Sequence, residues 1–81
     1  MELNNKLIDM LLRSSEHFEL VGELDIYGNG TIMEVNTRDK FYLVKTNWQG
    51  TCTNDVVLAN TVRKEINKLI KVLENKGFKE L

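Results

Sequence analysis

Few residues in this chain could do covalent or metal chemistry. Cys52 is its single cysteine and His17 its single histidine. Nucleophilic catalysis needs a nucleophile, a base and an orienting group within reach of one another. Cys52 and His17 are far apart in sequence, so only packing could bring them together. A lone cysteine more often serves as a small buried hydrophobe. A structural zinc needs four thiolate or imidazole ligands, and the chain cannot supply them. No twelve-residue loop of alternating acids suggests a harder cation, and no Gly-rich loop before Lys-Ser or Lys-Thr suggests a phosphate cradle. Glu19, Glu23, Asp25 and Glu34 are numerous enough to raise a paired-carboxylate site, but strand alternation places them on a solvated face where they stay ionised. The residues point to no catalysis, no metal and no cofactor.

The elements that position these groups follow from periodicity. From Phe18 to Val35 the chain alternates, turns at Gly28-Asn29-Gly30, and alternates again. A period of two marks half-buried strands, and Asn-Gly is a strong hairpin signal. Strands are expected at about Phe18–Tyr27, Thr31–Asn36 and Lys40–Thr46. A type I′ turn at Asn29-Gly30 sets Tyr27 opposite Ile32, Ile26 opposite Met33, and Leu24 opposite Val35. Asp25 then faces Glu34. A three-residue loop at Thr37-Arg38-Asp39 pairs Val35 with Phe41 and Met33 with Leu43. One residue of slip there would turn the third strand inside out.

A helix is expected on each side of the strands. The first, about Glu2 to Ser14, carries Leu3, Leu7, Met10 and Leu11 at helical spacing; Asn4 and Asn5 are alternative starts. The second, about Val56 to Lys76, carries Leu58, Val62, Ile66, Leu69 and Leu73. Thr53, Asn54 and Asp55 suit its cap, Gly77 suits a left-handed end, and Phe78 can fold back onto Leu73. The fold class is therefore α+β. The order is αβββα, a three-stranded antiparallel meander with two helices packed on one face. One compact domain over residues 1–81 is expected, because 81 residues leave no room for a second core.

This order resembles that of double-stranded RNA-binding domains across almost the whole chain. The resemblance implies a last helix whose start grips phosphates. Here that position reads Cys52-Thr53-Asn54-Asp55-Val56-Val57, with an acid and no base. The first bases, Arg63 and Lys64, come about two turns later; with Lys68 and Lys71 they form the alternative, nucleic-acid-binding set. The small α+β layout with no catalytic residues also looks like small phage-encoded inhibitors, including some anti-CRISPR proteins. That likeness implies a host-directed inhibitor.

Composition narrows the class. The hydrophobic fraction of 42% and charged fraction of 28% suit a folded globule rather than a disordered chain. A net charge of −1 provides no global field toward nucleic acid or anionic membrane. No apolar run is long enough to cross a membrane. The residues Met1–Asn5 lack a signal-peptide layout, and a single cysteine forms no internal disulfide, so a cytoplasmic location is expected. Absent proline, frequent asparagine and lysine in excess of arginine suggest the AT-rich genome of a bacterium or its phage.

With helices on one side, the other sheet face is left open. There the expected pairing gathers Tyr27, Ile32, Tyr42 and Val44, with Trp48 following, beside the acidic residues. Aromatic and apolar residues in such a patch suit protein recognition. The expected function is a non-enzymatic protein-interaction module, a regulator or inhibitor, binding another protein or a second copy of itself through this face. Acidic neighbours disfavour stacking of nucleic-acid bases there.

Overall fold

Asn4 caps the first helix, α1 (Asn5–Ser14): its side-chain oxygen accepts the Leu7 N–H at 2.8 Å. The computed structural model describes residues 4–22, 26–27, 30–46, 56–61 and 63–81, with backbone alone for 57–60. The helix thus starts at the asparagine cap rather than at Glu2, which lies outside those residues. It ends at Ser14 as expected, where the hydroxyl donates to the Met10 carbonyl and the Ser15 N–H to that of Leu11. Ile8 and Leu11 face the core, while Met10 is exposed.

Four six-residue strands follow: β1 (His17–Gly22), β2 (Thr31–Asn36), β3 (Phe41–Thr46) and β4 (Val56–Thr61). Next come α2 (Arg63–Asn75) and a two-residue strand, β5 (Lys79–Glu80). The sheet order is β4-β1-β2-β3-β5. The meander β1-β2-β3 is antiparallel, as expected. It is flanked by β4, parallel to β1, and β5, parallel to β3. The fold is α+β with two helices, but its sheet is mixed, and α2 connects the two edge strands across the meander.

Three expectations are corrected. First, the last helix begins at Arg63, not Val56; Val56–Thr61 pairs along β1 instead. Val56, Val57 and Thr61 are β-branched, stiff in a helix and well suited to a pleated sheet. Second, β1 stops at Gly22, and its register with β2 is Phe18↔Val35 and Leu20↔Met33. The faces keep their expected parity, but the hairpin is longer than a two-residue Asn-Gly turn allows. Gly28 and Asn29 lie outside the described residues. Gly22 stops the strand at a crowded point: a Cβ there would meet the Thr31 carbonyl oxygen at 3.1 Å. The β1–β4 register also shifts between Leu20 and Gly22.

Third, β3 is slipped by one residue. Asn36 pairs with Phe41, Val35 with Tyr42, and Met33 with Val44. The β2–β3 loop has four residues, because the Asn36 side chain accepts the Asp39 N–H at 2.8 Å and Lys40 takes the left-handed conformation at φ 56°.

The core collects one sheet face and both helices: Phe18, Leu20, Met33, Val35 and Tyr42 with Ile8, Leu11, Ile66, Leu69 and Leu73. Phe78 completes it through the expected helix end. Gly77 has φ 92°, its N–H donates to the Glu74 carbonyl, and the Phe78 N–H donates to Leu73 at 3.0 Å. Val21, Ile32 and Glu19 are buried on the opposite sheet face and stand apart from this core. That face is therefore not open at its centre.

Candidate functional site

The slipped register disperses the expected contact patch. Tyr42 is 2% exposed on the helix side, where its hydroxyl donates to Glu74 Oε2 at 2.9 Å. Burial first, then the Glu74 hydrogen bond and charge, push its phenol from 10.0 to about 12. Val44 also lies on that side, half-buried against the core. Ile32 keeps the opposite face but is 2% exposed. Phe41 and Leu43 take the places expected of Tyr42 and Val44, and both are half-buried. Trp48 lies outside the described residues. Of the four proposed anchors among the described residues, Tyr27 alone is strongly exposed, at 81%, in the turn between β1 and β2.

The same turn holds a residue that the expected hairpin sets opposite Met33, a core residue. Ile26 is 91% exposed, next to Tyr27. Ile26 lies beyond the end of β1 at Gly22 and outside the described β1–β2 pairing. An isolated glycine within an alternating strand was the available signal.

The acidic set is rearranged as well. Glu34 faces Glu19, not Asp25; Glu23 and Asp25 lie outside the described residues. Glu19 is buried rather than solvated. Opposed carboxylates on an antiparallel pair are unfavourable, and Lys45 offsets this by reaching Glu34 Oε1 at 3.3 Å. His17 stands at the edge of the same face with its Nδ1 buried and, among the described residues, without a hydrogen-bond partner. Cys52 lies outside the described residues, so the Cys52–His17 pairing does too. Among the described residues, no three His, Cys, Asp or Glu side chains gather to hold a metal ion.

The basic residues fare differently from one another. Arg63, in the first turn of α2, donates to the Thr31 hydroxyl at 3.1 Å and so ties the helix start to β2. Lys64, Lys68 and Lys71 are all exposed. At 100° per residue they fall within an arc of about 60° along about 10 Å of helix. None forms an ion pair among the described residues.

No protein-family model, curated protein or solved structure matches the chain. Function therefore rests on these surfaces. Among the described residues no helix is long and apolar enough to cross a membrane.

Proposed function

We propose that the chain is a small non-enzymatic interaction module that binds another protein through the tip of its β1–β2 connection. The supporting observation is the pair Ile26 and Tyr27, adjacent in one turn and 91% and 81% exposed. Single exposed hydrophobics are ordinary, but two large neighbours at a tip form a compact anchor. Burying an Ile or Tyr side chain of this kind contributes roughly 1.5–3 kcal/mol before the costs of association. Tyrosine is also among the residues most enriched at binding hot spots. Inhibition of a larger protein in the cytoplasm is a role that suits so small a module. A second copy is the other occupant this reading considers.

The test compares wild type with an Ile26→Ser/Tyr27→Ser variant as bait in host lysate. The expected result is loss of specifically retained partners, with stability kept within about 1 kcal/mol because both positions are exposed. An unchanged set of partners removes the tip from the interface.

A second reading is supported by the lysine stripe of α2. Lys64, Lys68 and Lys71 present three charges on one exposed face, none in an ion pair among the described residues, the arrangement a phosphate backbone would meet. Arg63 drops out of that set as a free contact because Thr31 holds it.

A further inference from the structure

The two edges of the sheet differ. The β5 edge is two residues long, and both residues, Lys79 and Glu80, are charged. The β4 edge runs for six residues, Val56-Val57-Leu58-Ala59-Asn60-Thr61, with no charge and no proline. Each of the other strands carries a charge: Glu19 in β1, Glu34 in β2, Lys45 in β3. Edge strands normally protect themselves with shortness, charge, proline or bulges, because their outer N–H and C=O groups are a template for another strand. Shortness and charge protect β5; β4 has only one irregularity, past Leu58, where three steps to Thr61 lie against two from Leu20 to Gly22. Among the described residues, β4 pairs with β1 on one side and with no strand on the other.

We propose that the β4 edge pairs antiparallel with the β4 edge of a second copy, joining two sheets into one. The absence of charge selects this occupant. A two-fold axis sets a strand against itself, so any charge near the axis would face its own copy. An axis beside Leu58 sets Val57 opposite Ala59 and Val56 opposite Asn60, with no like charges opposed. The axis is normal to the sheet, so the helices of both copies remain on the same side. A single strand pair is a small interface, so association belongs in the weak, reversible class. This surface is separate from the Ile26–Tyr27 tip and does not depend on the partner proposed for it.

Sedimentation velocity from about 5 μM to about 1 mM spans the range in which so small an interface associates. The expected result is a reversible monomer–dimer equilibrium, weakened on the order of tenfold by Ala59→Lys and unchanged by Ile26→Ser/Tyr27→Ser. Because Ala59→Lys could disturb the fold, wild-type amide exchange provides the second measurement. Amides of residues 56–61 should gain protection as concentration rises, while those of the β2–β3 loop should not. A monomer at every concentration overturns the proposal. So does a dimer that protects other amides, or one that the tip variant dissolves.

Discussion

The Tyr42 hydroxyl donates a 2.9 Å hydrogen bond to Glu74 Oε2, tying the middle sheet layer to the last turns of α2. The Tyr42 carbonyl also accepts the Leu81 N–H at 2.8 Å, so one residue fastens both helix and C-terminal strand. Its phenol is raised to about 12. The unfolded chain releases that proton near 10, so between the two values the folded state holds more protons, and stability falls as pH rises. Below pH 10 the full contribution is present. Denaturant titrations from pH 8 to 12 should show this alkaline loss, and Tyr42→Phe should remove it. At pH 8 the same substitution should cost about 0.5–1.5 kcal/mol, the worth of one hydrogen bond. An alkaline profile identical in the variant would assign the loss to other groups.

Two glycines should respond to alanine for different reasons. At Gly22 an added Cβ would meet Thr31 O at 3.1 Å and Thr31 Cβ at 3.3 Å, a backbone atom and a carbon bonded directly to the backbone, neither of which can swing away. Overpacking of this sort costs about 1–3 kcal/mol. At Gly77 nothing lies within 4 Å, but φ is 92°. Its cost is conformational, about 1–2 kcal/mol, and Gly77→Asn should recover part of it because asparagine tolerates the left-handed region. Urea unfolding of the three variants checks both. Asparagine no better than alanine at 77 would show that the cap does not govern that end.

How legible the molecule was depends on how local each signal is. The Ser14 stop and the Gly77-Phe78 ending are decided within a few residues and are legible in the sequence, which offers Asn4 only as an alternative start for α1. The β4 strand was hidden because Leu58 and Val62 continue the helical spacing of Ile66, Leu69 and Leu73. Only the distant β1, which pairs Val56 with Phe18, makes that stretch extended. The β3 slip turned on Lys40 adopting φ 56° without glycine, which no residue type announces, although Asn36 offered a clue through its capacity for a side-chain turn. That single slip moves Tyr42 into the core and Val44 against it, away from the expected binding face. The exposed Ile26 has a related cause: the alternation continues past Gly22, although β1 ends there.

Asn4 should matter beyond its exposure. Its side chain satisfies the Leu7 N–H in the first turn of α1, which would otherwise rely on water. Asn4→Ala should cost about 1 kcal/mol and Asn4→Asp much less, read by thermal unfolding. Equal losses for both would mean that the side-chain oxygen at position 4 does little to hold the start of α1.

The lysine stripe of α2 gives the last prediction, and its two halves pull apart stability from binding. Lys64 and Lys68 are one turn apart, with Lys71 beside them, so they repel. Replacing all three with glutamine should leave stability unchanged or raise it by a few tenths of a kcal/mol. If the stripe meets a nucleic-acid backbone, three phosphate contacts give a log–log salt slope of about −2.7 for duplex DNA, and the triple variant should flatten it. Arg63→Gln should act differently: it loses the bond to Thr31 and should lower stability while leaving the slope nearly intact. Gel-shift series in rising salt, run beside unfolding curves for both variants, separate the outcomes. Binding that ignores salt, or that survives the triple substitution, rules out the phosphate role and leaves the stripe as a solvated helix face.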